Sequence, residues 1–276
     1  MAFSHWDYGN NVPPDDKLLP PLHVAAGAGY TEVLRLLLRF CSPNTLSPET
    51  RRTALHHAAC NGRLKTVKIL ARAVDVDMNI LDRNGASALS LAIDAGHTEV
   101  LDYLLSCKEV DPNLATKTCP TPLLCVVLQN QSKFLKLLLS SERVDVDCRD
   151  HFGQTPLARA AERGHEEVVQ MLLHSGRSHA DSKDNRGRTP LSLAAEAGHD
   201  GVVAMLIDSG KVHVGSRDHR NRTPLLWAAE RGHEAVLKVL VGLEKENIGF
   251  GAVSSQVQRP GSSNREARIS TDEREG

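Results

Sequence analysis

Arg188-Thr189-Pro190-Leu191-Ser192-Leu193-Ala194-Ala195-Glu196-Ala197-Gly198-His199 reads as a short helix carrying its own start and stop signals. A threonine hydroxyl ahead of a helix can accept from amides that lack an intrahelical partner, and proline at the first helical position has no amide to lose. Leu191, Ala194 and Ala195 share a face at helical spacing, and the paired alanines let a neighbouring helix come close. Gly198 ends the helix, since the residue past a helix end often takes a positive φ that glycine adopts freely.

The same start recurs at Thr53, Ser87, Thr121, Thr155 and Thr223, in a register of 34 residues that includes Thr189. A weaker copy, Pro20-Pro21-Leu22-His23, places Leu22 33 residues before Leu55, which makes seven copies. Stop glycines stand at Gly29, Gly62, Gly96, Gly164 and Gly232. A second apolar helix follows, as in Val168-Val169 with Leu172-Leu173 and Val202-Val203 with Leu206-Ile207. Between units lies a polar turn such as Asp82-Arg83-Asn84-Gly85 or Asp184-Asn185-Arg186-Gly187. One unit cannot bury its apolar face alone, but stacked copies can, so the expected product is an elongated, curved array.

With Leu22-His23-Val24-Ala25-Ala26 and Leu55-His56-His57-Ala58-Ala59, the pattern resembles the ankyrin-repeat family, whose units carry a T-P-L-H-x-A signature. Units such as residues 188–199 are similar to the arrays of fungal multidomain ankyrin proteins. The resemblance covers residues 17–243 and implies an all-α ankyrin-repeat solenoid of helix-turn-helix units with β-turn finger loops. It also implies protein partners lying against a concave side, built from the finger tips and the exposed face of each first helix. Carried over by register, the tip positions include His151, Phe152, Gln154, Arg186, Arg188, His219, Arg220 and Arg222. The helix positions include Leu128, Glu162, Arg163, Glu196, Glu230 and Arg231.

Two rows stand out there. Arg186, Arg188, Arg217, Arg220 and Arg222, with His151 and His219, form a basic row; Glu162, Glu196 and Glu230 form an acidic one. They admit two readings: a surface complementary to an acidic peptide, or a self-satisfied Glu–Arg ladder linking adjacent repeats, each surface pair contributing about 0–1 kcal/mol. Phe152 is the best single anchor candidate, because aromatic side chains are over-represented among binding hot spots.

The fourth copy departs from the pattern. Cys119 replaces the turn glycine, Val126-Val127 replace the alanine pair, and Asn130-Gln131 replace Gly-His. The bulky valines should push this unit away from its neighbour and make it a weak joint, strengthened by Cys119→Gly with alanines at 126 and 127. The departure reads either as a kink with an apolar spot at Leu128 or as a drifted repeat that still stacks, since Asn tolerates the left-handed conformation. At the ends, residues 1–16 carry Phe3, Trp6 and Tyr8 and form a candidate cap. Val236, Leu237, Val239, Leu240, Val241 and Leu243 make the last helix as apolar as the internal ones, so it needs a cover. Residues 244–276 read as partly capping through Ile248 and Phe250, then polar and disordered.

Composition restricts the function classes. The 276 residues carry 33 basic and 34 acidic side chains, a balance that argues against a nucleic-acid partner held by counterion release. No run of about 20 apolar residues occurs, so no membrane span is expected. Six cysteines without paired spacing read as reduced thiols, which points to an intracellular protein, cytoplasmic or nuclear. His97, His165, His199 and His233 recur at the repeat period and are expected to be buried or capping rather than metal ligands. His165-Glu166 and His233-Glu234 begin like a zinc-protease motif, but Val169 and Leu237 stand where its second histidine belongs. No catalytic set, metal site or cofactor is indicated, and the chain does not read as an enzyme. The expected function is that of a scaffold or adaptor. The rival is a regulatory or sensor segment of a larger assembly that associates end to end through its uncapped last repeat.

Overall fold

Six hydroxyls hold the starts of six helices. Thr53, Ser87, Thr121, Thr155, Thr189 and Thr223 each accept from the amide three residues on, at 3.2–3.4 Å. The computed structural model describes residues 19–115 and 120–246, and the helices in them come in sequential pairs. These are α1 (Pro21–Ala28) with α2 (Thr31–Leu37), α3 (Ala54–Cys60) with α4 (Leu64–Leu70), and α5 (Ala88–Asp94) with α6 (Thr98–Ser106). Then follow α7 (Pro122–Leu128) with α8 (Ser132–Leu139), α9 (Pro156–Arg163) with α10 (Glu166–His174), α11 (Pro190–Ala197) with α12 (Asp200–Asp208), and α13 (Pro224–Arg231) with α14 (Glu234–Glu246). The described residues contain no strand, and none of their helices is long and apolar enough to cross a membrane. The fold is an all-α helical-repeat solenoid.

The chain divides into two compact units, Met1–Leu240 and Val241–Gly276. In the first, each first helix from α1 to α11 packs on the first helix of the next pair, and each second helix from α2 to α10 packs on the next second helix. Leu34, Val67, Leu101, Leu135, Val169 and Val203, one per pair, are fully buried between them. The described part of the second unit is the end of α14, where Val241 is exposed.

Gly198 shows what glycine provides at a stop position. Its φ is 83°, and a Cβ there would lie 2.7 Å from the ring of His233 in the following pair. That ring donates from Nε2 to the Glu196 carbonyl at 3.0 Å, and His97 and His199 do the same to Cys60 and Glu162 at 3.0 and 3.2 Å. These histidines are half-buried, and His97 and His199 make no side-chain cap on the helices they precede. All three brace one pair to the one before it by capping carbonyls in the last turn of its first helix.

Further braces occupy the loops after the second helices. Asn79 and Asn113 each donate a side-chain amide to a carbonyl in the next loop (Glu109, Arg143) and accept from an amide there (Asp111, Asp145). The Arg143 guanidinium reaches back to four carbonyls, those of Leu105, Cys107, Lys108 and Val110, at 2.6–3.0 Å. It thereby satisfies acceptors at the end of α6 that have no intrahelical donor. Arg177 repeats the arrangement one unit later, on carbonyls at and after the end of α8.

The fourth copy stacks. Val126 and Val127 are fully buried, and Asn130 takes the left-handed conformation at φ 55° where the other units have glycine. Packing of α7 on α5 is nevertheless the sparsest between successive first helices. In α14, Val236 and Leu240 point into the core, while Val241 is exposed. Cys119, the residues Phe3, Trp6 and Tyr8, and the segment expected to fold back through Ile248 and Phe250 lie outside the described residues.

Candidate partner-binding surface

Four of the fingers are built around an aspartate. Asp184 Oδ1 accepts from the amides of Arg186 and Arg188, both at 2.8 Å, while the Asp184 amide donates to the Arg188 carbonyl at 2.9 Å. Asp82, Asp150 and Asp218 close their fingers in the same way. Neighbouring fingers are tied through the backbone: Asn185 donates to the Phe152 carbonyl and His219 to the Arg186 carbonyl, each at 3.0 Å.

The second oxygen of each of these aspartates takes a guanidinium, but from different places. Arg188 Nε serves Asp184 at 3.0 Å and Arg222 Nε serves Asp218 at 3.1 Å, each within its own finger. Asp150, whose finger has Gln154 at that position, is served by Arg159 of α9; Asp82, with Ala86 there, is served by Arg52 from the preceding unit at 3.0 Å. Burial opposes the charge on Asp218, yet the Arg222 and Arg220 amides and the Arg222 guanidinium outweigh it and hold its pKa below the usual carboxylate value.

The same arginines reach the acidic row. Arg188 pairs with Glu196 at 2.8 Å, Arg159 with Glu162 at 2.9 Å, and Arg222 with Glu230 at 3.6 Å. These contacts lie within one repeat, so most of the acidic row is paired inside its own unit rather than along a continuous ladder. The pair that crosses from one repeat to the next is Arg231 with Glu196, at 2.7 Å. Arg163 crosses too, donating to the Leu128 carbonyl at 2.7 Å. Two proposed tip residues are not at the surface: Gln154 is 2% and Arg188 9% exposed, so neither can meet a partner directly.

His151, Phe152, Arg186, His219 and Arg220 are exposed at the tips. Phe152 stacks on the His151 ring at 3.9 Å, with the Arg159 guanidinium 5.1 Å from its centre. Arg149, Lys183 and Arg217, each just before a finger aspartate, are exposed as well. Their head groups donate to carbonyls, namely Gly153 and Lys183 for Arg149, Arg217 for Lys183, and Asn221 for Arg217. The basic row therefore has two parts. Arg188 and Arg222 are consumed by carboxylates, whereas Arg149, Lys183, Arg186, Arg217 and Arg220 have no carboxylate partner among the described residues.

The first helices add a floor beneath the tips. Trp227 of α13 lies under the Arg222 guanidinium, 3.4 Å from the ring centre, and is nearly buried there. Asp94, at the register position of Glu196, faces Ala86 in place of an arginine; burial raises its pKa to about 6, with Arg52 acting against the rise. Sequence reasoning missed Trp227, and it placed no weight on Arg149, Lys183, Arg159 or Arg52. The 34-residue spacing of 149, 183 and 217 was the available signal for the first two. Among the described residues, no three His, Cys, Asp or Glu side chains are placed to hold a metal ion.

A family model described as "Ankyrin repeats (3 copies)" matches residues 22–116, 108–184 and 176–250. The chain is 38% identical over 80 residues to the transient receptor potential cation channel subfamily A member 1 homolog of Caenorhabditis elegans, covering 28% of this chain and 6% of that protein. It is 34% identical over 85 residues to the Notch-regulated ankyrin repeat-containing protein of Homo sapiens, covering 29% of this chain and 73% of that one. Among solved structures, the ankyrin repeat domain of Bcl-3, described as a unique member of the IkappaB protein family, aligns with a TM-score of 0.73 at 27% identity, over 81% of this chain and 99% of that one.

Proposed function

We propose, from the premise that this chain belongs to the ankyrin-repeat family, that it is a scaffold or adaptor binding a protein partner across its finger tips and first helices. The observation that carries the reading is the exposed tip row of the last three fingers, Phe152 with Arg186 and Arg220, set on fingers that the backbone ties into one surface. Exposed Arg163, Glu230 and Arg231, with the partly exposed Leu128, Glu162, Glu196 and Arg222, complete the proposed site. The reading takes seven repeats within residues 17–243, in line with the helix pairs of the described residues. A likeness to fungal arrays rests on units such as residues 188–199, and an intracellular location on the unpaired cysteine spacing.

The test is comparative capture. Immobilised chain and a Phe152→Ala/Arg231→Glu variant of equal melting temperature are exposed to the same cell extract. A protein retained by the first and lost by the second supports the site; identical retention overturns it.

A second reading, self-association through an end of the array, is favoured by apolar residues uncovered there: Val33, Leu36 and Phe40 at one end and Leu226 at the other. Light scattering across a concentration series separates the two, since a mass of 30.1 kDa at every concentration excludes self-association.

A further inference from the structure

Three consecutive fingers carry cations that no carboxylate among the described residues neutralises. Arg186 and Arg220 occupy one register position on the tips, and Arg149, Lys183 and Arg217 another on the flank. The finger carboxylates beside them, Asp150, Asp184 and Asp218, are already occupied by Arg159, Arg188 and Arg222. The flanking cations are held by carbonyl oxygens, which orient a charge without cancelling it. A chain of net charge −1 thus presents a narrow positive edge.

We propose that this edge receives an extended acidic peptide segment of a partner protein. In that segment an apolar residue lies against Phe152, and carboxylates follow about three and six residues away, at Arg186 and Arg220. The inference rests on the reading of the chain as a protein-binding array and specifies the chemistry of the partner. The spacing comes from the fold. Fingers advance with the stacked helices, about 8–10 Å per unit, and a chain extended as polyproline II rises about 3.1 Å per residue with about three residues per turn, so every third side chain returns to one face and meets one finger. The backbone bonds from Asn185 to Phe152 and from His219 to Arg186 keep that pitch fixed. Nucleic acid fits less well: Glu230 and Glu162 lie partly exposed beside the edge, at 51% and 34%, and repel a strand charged at every residue. A peptide can place its uncharged residues there.

The experiment is fluorescence anisotropy with the full chain and three labelled probes. One is a twelve-residue peptide with an apolar residue and glutamates at every third position; one has the same composition with its glutamates clustered; the third is a single-stranded oligonucleotide of equal charge. The patterned peptide is expected to bind most tightly, to weaken with added salt, and to lose about tenfold in affinity with Arg186→Glu/Arg220→Glu. Arg83→Glu, on a finger outside this edge, is expected to change nothing. The proposal is overturned by no binding of the patterned peptide, by equal binding of the clustered one, by indifference to Arg186→Glu/Arg220→Glu, or by tighter binding of the oligonucleotide. If capture of a partner remains sensitive to Phe152→Ala/Arg231→Glu while the acidic peptide fails, the acidic edge falls and the protein-binding reading stands.

Discussion

Arg186 and Arg188 are two residues apart on one finger and have opposite fates. Gly187, at φ 77°, turns the chain between them, so that Arg186 faces solvent while Arg188 bridges Asp184 and Glu196 with its side chain 10% exposed. Removing one member of a buried ion network leaves the others charged and unpaired, which costs far more than the network contributes. Arg188→Ala is therefore expected to destabilise the chain by about 3 kcal/mol, and Arg186→Ala by less than about 0.5 kcal/mol, as read from urea melts. Equal effects would mean that the two arginines are equally exposed in solution. The sequence places both in one basic row and cannot separate them. The information lies in which carboxylate each reaches, and Asp82 and Asp150 find their arginines in another unit and on a helix. His56 gives the residue scale a pH readout. Its Nδ1 accepts from the Thr53 amide at 3.1 Å and its Nε2 donates to the Ala86 carbonyl at 3.2 Å, so the bonded form is the neutral ring. Burial lowers its pKa to about 4, with Asp82 opposing and Arg52 reinforcing the shift. A folded pKa below the unfolded value of about 6.5 gives stability that is complete above pH 6.5 and lost as pH falls toward 4. His57, lowered to about 3 chiefly by burial, acts in the same sense. Asp94, raised to about 6 by burial, acts oppositely below that pH. His56→Gln is expected to flatten stability between pH 6.5 and 5 by up to about 1.4 kcal/mol per pH unit; an unchanged slope would show that His56 titrates normally.

At the scale of the helix pair, what is legible in the sequence is what each unit does for itself. Hydroxyl caps, first-turn prolines, stop glycines and apolar stripes are local signals, and they locate the described helices because each satisfies a backbone or burial requirement within its own unit. What one unit does for the next is harder to read. The Arg143 guanidinium and the Asn79 and Asn113 amides act on carbonyls 30 or more residues away, and their recurrence in the sequence is partial. The fourth unit shows both sides. Its valines read as misfits against the alanine pairs, and the sparse packing of α5 on α7 agrees with that. Yet both side chains are fully buried, so they occupy the space that the wider spacing creates. The strengthening expected from alanines at 126 and 127 is therefore reversed. Val126→Ala and Val127→Ala should each cost about 1.5 kcal/mol, from two buried methyl groups at about 0.8 kcal/mol apiece. A raised unfolding midpoint would restore the misfit reading.

An array is held together by its repeat-to-repeat interfaces, and a terminal pair has only one. Register makes this visible. His23, His56, Ser90, Leu124, Ala158 and Ser192 share one position on the first helices, and all are buried beneath the following unit. Leu226, the seventh member of the series, is 46% exposed, and no further finger follows it among the described residues. At the other end Val33 is 48% exposed, while Val100, Val168 and Val202 at the same register are buried. The same residue type thus has a different energetic role according to its place in the stack, which no local pattern encodes. A charge introduced at position 226 stays in water, whereas one at 158 must be buried or must force two repeats apart. Leu226→Glu is expected to shift stability by less than about 0.5 kcal/mol, within the range of surface substitutions. Ala158→Glu should lower it by about 3 kcal/mol or more, since it adds both a charge and excess volume to a packed interface. Paired urea melts measure the difference. A cost for Leu226→Glu approaching that of Ala158→Glu would mean that the last repeat is covered after all, and a drop in stability that eases on dilution of the parent chain would identify the cover as a second copy.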